Sequence, residues 1–565
     1  MRAAPPQTEP VAPVANQKSG QWKYAKDLIF CISLAHLCVI KFWDEVQDYT
    51  FSYFRREPAD LFLHGVTLIH TALLAIVFWC ALEAVRRSHS PRARVVAEIW
   101  LVLTLVLIPL NTVRKDFLHL SFFDLTQSWP PVMRIGVVAL LALAGAYIIW
   151  RYSHVAFATA RATVWILVPL LPVTLVQTVW LAARENPADF NNKPVSPVLK
   201  NNAGRVVVAI FDELDLQIAN AHPPELQLPE WDRLRTESFY AERTDAPAAA
   251  TKEAIPGLSI GRQVEAGTPK SANTLLIRPL GESSAVDWKE TNNLFSAARQ
   301  ASLNVGISGW YHPYCRLFGD STVSCYWTPA RGVLHREESV NELDIPTALS
   351  VQFRRLLLQI PGLALVDFLK PKVGLRNPAV RKQERLHARQ EYRSIHEHAL
   401  RLVTDPAVNV TYLHYPIPHM LSIFDRKTMD FSDKDTTSYF DNLLLVDRTI
   451  GDIRRALTAA GLWDQTTLLV TADHPMRVAV YRSSAGFWND EMEARIKFAP
   501  ERHIPYVIKL AGQHQPVQYS QPFDSTVSKE LVLAMAARQI STPEQLVAWF
   551  DANRSRFPRR KKTRE

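Results

Sequence analysis

The stretch Val-Val-Val-Ala-Ile-Phe-Asp-Glu, residues 206–213, decides the fold of this 565-residue chain. Its six apolar residues, four of them β-branched, are typical of a strand that is buried on both faces of a parallel sheet. Further strand patterns follow at 410–414, 466–471 and 504–510, and a long amphipathic helix pattern covers 436–460. This alternation predicts an α/β sandwich with a mostly parallel sheet and helices on both faces.

Side chains of metal-ligand types stand where these strands end. Asp212-Glu213 closes the first strand, His414 ends the second, and Asp473-His474 follows the third. In parallel sheets, ligands bind at the carboxyl ends of strands. Carboxylates suit hard divalent cations, and an adjacent Asp and His suit Mn or Zn. Each pair taken alone also fits a simpler role, such as an acidic helix start for Asp212-Glu213.

Thr251 begins the segment Thr-Lys-Glu-Ala-Ile-Pro-Gly-Leu-Ser-Ile-Gly-Arg, residues 251–262, directly after three alanines. One interpretation is a helix N-cap, because threonine caps helices well. The other is a nucleophile activated by a metal ion, which the acidic and histidine residues at the strand ends favour.

The first third of the chain is strongly apolar. Five apolar spans, each near the length that crosses a bilayer, predict a transmembrane domain of five helices: about 28–43, 61–85, 95–113, 132–150 and 162–183. Basic residues cluster before the first span, between the second and third, and between the fourth and fifth. The positive-inside rule therefore predicts a cytoplasmic N-terminus.

Five crossings place everything after Arg184 on the external, periplasmic side of the cytoplasmic (inner) membrane. If the first span does not cross, the soluble part lies in the cytoplasm instead. Cys315 and Cys325 are the only cysteines of the soluble part and would close a short loop, either as a disulfide of an oxidising compartment or as two free thiols.

The composition changes along the chain predict five segments: an N-terminal segment 1–26, the transmembrane domain 27–184, a linker 185–203, an α/β domain 204–548 and a basic tail 549–565. The apolar stretch 353–369 is interrupted by Pro361-Gly362 and fits either a membrane-interface segment or a buried helix. The net charge of +9 lies in short clusters beside apolar spans, and no zinc-finger or basic-aromatic pattern predicts nucleic-acid binding.

Residues 204–545 resemble the sulfatase branch of the alkaline phosphatase superfamily. Six motifs occur in the order of that family: the strand into Asp212, the helix pattern 229–234, the spacing from Thr251 to Arg262, and the segments 308–312, 412–419 and 439–474. The resemblance implies the alkaline-phosphatase-like fold and an enzyme of phosphate or sulfate ester chemistry.

Departures from the sulfatase pattern change the implied chemistry. Sulfatases convert a Cys or Ser nucleophile to formylglycine, which Thr251 cannot become, and Ile255 and Trp310 replace a family Arg and Lys. A threonine nucleophile instead resembles the family's membrane-bound phosphotransferases, the phosphoethanolamine transferases and lipoteichoic acid synthases. Those enzymes also carry five membrane helices before an external catalytic domain, but their signatures after the first strand are absent here, so their substrates are not implied.

The resemblance implies one divalent metal ion, Mn, Zn or Mg, with four ligands: Asp212, Thr251, Asp473 and His474. Two further candidate ligands are Glu213 and His503. In the implied reaction Thr251 attacks phosphorus and forms a phosphothreonine, while His312 and His419 contact the phosphoryl group or protonate the leaving group.

The expected substrates are membrane lipids or lipid-linked envelope glycans. A plain phosphodiesterase with water as acceptor is one alternative. A catalytically silent, lipid-binding regulatory protein is another, although the retained ligand set favours an enzyme.

Overall fold

In the computed structural model the chain forms two units. The helical unit comprises residues 1–48, 60–184 and 343–375, and the sheet unit comprises 49–59, 185–342 and 376–565. The structure describes residues 15–47, 49–56, 62–87, 90–114, 118, 129–184, 190, 194–198, 203–220, 222–223, 225–329, 344–358, 378–434, 436–483, 487–496, 502–557 and 559.

The helical unit is built from eight α-helices within the described residues: Ala15–Cys38, Ile40–Gln47, Phe62–Arg87, Pro91–Leu105, Pro131–Arg151, Ser153–Leu167, Leu170–Arg184 and Ile345–Leu358. A π-helical turn, Val106–Leu110, continues the fourth helix. Buried apolar side chains from several of these helices form one core, which includes Cys31, Phe42, Phe78, Leu105, Val164 and Leu356.

Three stretches of the described helices are long and apolar enough to cross a membrane: Phe62–Ala84, Pro91–Leu110 and Ser153–Leu181. A shorter apolar helix covers Ala139–Arg151. The predicted count of five transmembrane helices is therefore not confirmed. The first predicted span differs most, because its helix begins in a polar segment and ends at Cys38, after which Ile40–Gln47 forms a separate helix.

The helix Ile345–Leu358 packs inside the helical unit. Gln352 donates a hydrogen bond to Thr67 and lies 3.2 Å from His70 Nδ1, and Arg355 pairs with Glu45. Residues 353–358 of the interrupted apolar stretch thus belong to a packed helix, and 359–369 lie outside the described residues.

The sheet unit contains fourteen strands in the described residues, labelled in chain order: β1 Arg205–Phe211, β2 Phe239–Asp245, β3 Val264–Ser271, β4 Thr274–Pro279, β5 Val286–Asp287, β6 Val305–Trp310, β7 Ser324–Thr328, β8 Val410–Tyr415, β9 Phe424–Asp425, β10 Asp430–Phe431, β11 Thr466–Ala472, β12 Ile504–Lys509, β13 Val517–Tyr519 and β14 Phe523–Asp524. The main sheet has the order β13-β2-β12-β11-β1-β8-β6-β7, with β14 also on β2.

The α-helices of the sheet unit among the described residues are Leu216–Asn220, Pro229–Glu237, Thr251–Ile260, Leu294–Gln300, Tyr314–Phe318, Pro378–Thr404, Tyr439–Ala459, Val478–Ser483, Asp490–Arg495, Ser528–Ala536 and Pro543–Asn553. Smaller sheets join β3, β4 and β5, and β9 and β10. Cys315 and Cys325 form a disulfide.

Strand β1 lies at the centre of the main sheet, parallel to both β11 and β8. Val206, Val208 and Ile210 pack into the core on one face, whereas the alternating residues of the strand pack into the core on the other face. Because successive side chains of a strand point to opposite faces, a continuous apolar run fills both cores. Among the described strands of this sheet, β12 alone pairs antiparallel with both of its neighbours, so the predicted mostly parallel α/β architecture is confirmed.

Candidate functional site

The ends of β1 and β11 bring the predicted ligands together. Phe211 and Ala472 are register partners at the last positions of the two strands, so Asp212 and Asp473 leave the sheet side by side. His474 follows at once, and Thr251 is the first residue of the helix Thr251–Ile260. The four predicted ligand residues are at most 5% exposed.

The four side chains form one cluster. Thr251 Oγ1 lies 3.4 Å from Asp212 Oδ2 and 3.3 Å from His474 Nε2. His474 Nε2 lies 3.8 Å from Asp212 Oδ1 and 3.4 Å from Asp473 Oδ2. Tetrahedral donors about 2.1 Å from a common cation stand about 3.4 Å from one another, so these separations fit a shared divalent ion.

The hydrogen bonds around the cluster leave its ligand atoms free. His474 Nδ1 lies 3.0 Å from the carbonyl oxygen of Pro475, which only accepts, so the proton sits on Nδ1 and the lone pair of Nε2 faces the cluster. Asp473 Oδ1 accepts the backbone N–H groups of Glu213 and His474. Asp212 Oδ1 and Asp473 Oδ2 are buried and have no hydrogen-bond partner among the described residues.

The charges of the cluster also fit a cation. Burial raises the pKa of the Asp212 carboxyl well above its usual range, and the neighbouring Asp473 and Glu213 raise it further. Buried carboxylates at this spacing repel one another unless a positive charge lies between them. We conclude that Asp212, Asp473 and His474, with the hydroxyl of Thr251, fit a divalent metal ion.

Glu213 takes part in a different interaction from the predicted one. Its backbone is left-handed, with φ of 62°, and its carboxylate accepts hydrogen bonds from Arg477 Nε and Tyr481 Oη, both at 2.7 Å. Burial alone would raise the pKa of Glu213, but the charge that His419 gains in acid and the charge of Arg477 outweigh burial and lower the pKa to about 2. Both carboxylate oxygens are thus engaged by partners outside the metal-ligand group.

Arg477 also fixes the state of His419. Arg477 Nη2 lies 3.3 Å from His419 Nε2, and because a guanidinium only donates, Nε2 accepts. Burial lowers the pKa of His419, so the ring is neutral and carries its proton on Nδ1. This Nδ1 is buried without a partner among the described residues, which leaves it as a donor for a ligand.

His419 lies at a small cleft with room for about one water molecule. Most of the other lining residues are apolar, and the full set is Trp310, Ala388, Glu391, Pro416, Ile417, Met420, Leu421 and Ile423. The surroundings of His419 on this side are therefore largely apolar.

His312 differs from its predicted role at the phosphoryl group. Its Nε2 lies 3.2 Å from the backbone oxygen of Thr251, and its Nδ1 lies 2.8 Å from Tyr53 Oη. Burial lowers the pKa of the ring to about 3, so it is neutral. With Nε2 donating to the carbonyl and Nδ1 accepting from the tyrosine, neither nitrogen remains to contact a substrate.

His503 is likewise engaged elsewhere. Its Nδ1 lies 3.1 Å from Asp245 Oδ1 at the end of β2, and it is not part of the clustered ligand group. The structure therefore brings together the four main predicted ligands and separates the two further candidates, Glu213 and His503, from them.

The helix that begins with Thr251 is fixed at both ends. Gly261, with φ of 74°, ends it in a left-handed residue, which explains the glycine at the end of the sequence motif. Near the start, Glu253 accepts the backbone N–H of Gly267 at 3.1 Å. Near the end, the indole of Trp288 donates to Ser259 Oγ at 2.8 Å.

Three residues of the site escaped the sequence analysis: Arg477, Tyr481 and Tyr53. Arg477 could have been found from the sequence, because it is a basic residue only three positions after the predicted ligand His474. Nothing in the sequence indicated Tyr53, because 259 residues separate it from its partner His312.

Residues 394–533 match the family model described as Sulfatase. No curated protein matches the sequence.

Solved structures with similarity include three bacterial proteins. A phosphonate monoester hydrolase of Agrobacterium radiobacter is 12% identical, with 60% of this chain and 78% of that chain covered and a TM-score of 0.34. An alkaline phosphatase superfamily protein from Vibrio parahaemolyticus is 13% identical (61% and 69% covered, TM-score 0.33). A lipoteichoic acid synthase from Listeria monocytogenes is 9% identical (60% and 76% covered, TM-score 0.33).

Identities this low carry no information about substrates. The match over 394–533 covers β8 and β11, the two strands beside β1, and it includes Asp473 and His474. The similarity to the Sulfatase family is therefore shown for the part of the chain that holds these two strands and these two candidate ligands.

Proposed function

We propose that this chain is a metal-dependent enzyme that transfers or hydrolyses phosphate-linked groups through Thr251. The observation that carries the proposal is the position of the Thr251 hydroxyl, 3.4 Å from Asp212 Oδ2 and 3.3 Å from His474 Nε2. A hydroxyl at the start of a helix, among three side chains of metal-ligand type, has the surroundings of an activated nucleophile.

The first step is attack by Thr251 on phosphorus. A divalent ion held by Asp212, Thr251, Asp473 and His474 would supply positive charge that lowers the pKa of the hydroxyl and balances the phosphoryl oxygens. The Thr251 proton faces Asp212 Oδ2. As the Thr251 oxygen bonds to phosphorus, its proton passes to Asp212 Oδ2, and the bond from phosphorus to the leaving oxygen breaks. The leaving group departs as an oxyanion, and Thr251 becomes a phosphothreonine.

His419 and Arg477 bind the phosphoryl group in this scheme. The free Nδ1–H of His419 donates to a phosphoryl oxygen, and the Arg477 guanidinium, one third exposed, lies beside it with positive charge. The geometry favours this contact over protonation of the leaving group, because a neutral imidazole is a weak acid at Nδ1.

In the second step an acceptor attacks the phosphothreonine and restores Thr251. An envelope lipid or lipid-linked glycan hydroxyl makes the enzyme a transferase, and water makes it a phosphodiesterase. The three apolar stretches support a substrate in the membrane.

We place the sheet unit on the external side of the cytoplasmic membrane. Residues 49–59 belong to that unit, so an even number of crossings must separate them from residue 203. Four crossings result if Pro131–Arg151 crosses in addition to the three long apolar stretches. With a cytoplasmic N-terminus, the shared side is the external one when the first helix, Ala15–Cys38, also crosses. The Cys315–Cys325 disulfide supports an oxidising compartment.

The test is hydrolysis of an aryl phosphodiester by the purified full chain with Mn²⁺, Zn²⁺ or Mg²⁺ added in turn. Wild type should release the phenol in a metal-dependent way, and Thr251→Ala should abolish release. Thr251→Ser, which keeps a hydroxyl, should retain part of it. Undiminished turnover by Thr251→Ala would refute the scheme. Absence of both bound metal and turnover in wild type would favour the silent lipid-binding protein.

A further inference from the structure

We infer that Tyr53 is a positioning residue for the nucleophile Thr251 and acts through His312. Tyr53 lies in a short 3-10 helix, Tyr49–Phe54, within the loop between the helices Ile40–Gln47 and Phe62–Arg87. It stands in sequence among the apolar helices but belongs to the sheet unit. The inference rests on the proposed function, because it assigns Thr251 the role of nucleophile.

A continuous hydrogen-bonded path joins Tyr53 to Thr251. The Tyr53 hydroxyl lies 2.8 Å from His312 Nδ1, and His312 Nε2 lies 3.2 Å from the backbone oxygen of Thr251. The carbonyl only accepts, so Nε2 carries the proton, and Nδ1 must accept the proton of the tyrosine. Tyr53 therefore selects the tautomer in which His312 donates to the residue that carries the nucleophile.

The loop that carries Tyr53 is fixed in the sheet unit. Tyr53 and Ser52 are fully buried, and Arg316 Nη2 donates to the backbone oxygens of both. The ring of Phe54 meets that of Tyr311 edge-on, with 5.3 Å between centroids. Tyr311 directly precedes His312 and has a left-handed backbone, with φ of 73°.

The first turn of the Thr251 helix receives a hydrogen bond from outside the helix. Within the helix, the carbonyl of Ala250 accepts the backbone N–H groups of Glu253 and Ala254. Pro256 lies inside the helix and lacks the N–H that the carbonyl of Lys252 would accept in a regular helix. The hydrogen bond from His312 to the backbone oxygen of Thr251 adds a side-chain contact to this turn.

The test uses full-chain Tyr53→Phe, which removes one hydroxyl, and Tyr506→Phe as matched control. Tyr506 is equally buried in the same core, and its hydroxyl is bonded to Ser528 at 2.9 Å. Tyr53→Phe should lower kcat for an aryl phosphodiester roughly 10- to 100-fold with little change in KM. Tyr506→Phe should retain the wild-type kcat.

A double-mutant cycle separates positioning from general loss of stability. His312→Ala removes the link, so adding Tyr53→Phe to it should lower kcat no further. Full additivity of the two losses, or equal losses in Tyr53→Phe and Tyr506→Phe, would overturn the inference.

Hydrogen exchange provides a readout that needs no turnover. The peptide covering Thr251–Ile260 should take up deuterium faster in Tyr53→Phe than in Tyr506→Phe. If wild type proves inactive while this difference is present, the proposed function fails and the positioning role stands. Equal uptake in the two variants refutes the positioning role, whatever the activity.

Discussion

Nε2 of His474 lies 3.3 Å from the hydroxyl oxygen of Thr251, with its lone pair directed into the cluster because Nδ1 donates to the carbonyl of Pro475. The same nitrogen is 3.4 Å from Asp473 Oδ2. An imidazole fixed in this tautomer by the backbone is prepared to bind a metal ion before the ion arrives.

Metal binding should depend on His474. The purified chain should hold about one divalent ion, and His474→Ala should weaken Mn²⁺ binding more than about 100-fold, because a ligand is lost outright. Titration calorimetry and elemental analysis measure both. His503→Gln is the control, since His503 pairs with Asp245, and it should bind Mn²⁺ as wild type does. A comparable loss in His503→Gln would assign His503 to the metal site.

Removal of Arg477 should destabilise the sheet unit. Arg477→Met leaves the buried carboxylate of Glu213 without its cation, at a cost of about 2–3 kcal/mol in the free energy of unfolding. Adding Glu213→Gln removes the unpaired charge and should recover part of the loss. Thermal unfolding of the two variants measures this. A double variant less stable than Arg477→Met would contradict the pairing.

Asp524 should make stability depend on pH. Burial, with a smaller contribution from nearby Asp245, outweighs hydrogen bonds from Thr526 and Gln263 and raises the pKa of its carboxyl to about 7. Because the folded state binds the proton more tightly than the unfolded state, this contribution is complete below about pH 4 and is lost as the pH rises through 7. Asp524→Asn should show a smaller decline in Tm between pH 5 and about 8 than wild type. Parallel Tm profiles for the two proteins would exclude this role of Asp524.

The predicted topology can be tested by labelling in intact cells. With Cys80 replaced by alanine, Arg56→Cys and Gln515→Cys lie in the sheet unit and should react with a membrane-impermeant maleimide. Ser90→Cys lies between two apolar stretches in a basic loop and should react only after lysis. Labelling of Ser90→Cys alone would place the sheet unit in the cytoplasm.

Local patterns were sufficient to predict the mostly parallel sheet, whereas the set of four candidate ligands came from the family resemblance. A β-branched run predicts a buried strand, and parallel strands bring their carboxyl ends to one edge of the sheet, which is where Asp212 and Asp473 lie. That β1 and β11 are neighbours was not predictable from these patterns. Local patterns do not predict which partner each side chain contacts. Glu213 was predicted as a ligand from its neighbour, but whether it reaches a metal or Arg477 depends on a backbone turn that the pattern does not specify.

Contacts between residues far apart in the chain could not be predicted either, because local patterns do not specify them. His312 lies near Thr251 as predicted, but its orientation depends on Tyr53, which comes from a loop among the apolar helices. The predicted count of five membrane crossings is also not confirmed. Hydropathy does not show where a helix is interrupted, and the first predicted span is interrupted after Cys38.

The most direct test of the central claim is to look for the covalent intermediate on Thr251. The full chain is mixed with Mn²⁺ and an aryl phosphodiester, quenched in acid during turnover, digested and mapped by mass spectrometry. We predict a phosphoryl adduct on the peptide that contains Thr251, localised to that residue and absent from Thr251→Ala. Turnover without an adduct on Thr251, or with an adduct on another residue, would contradict the claim.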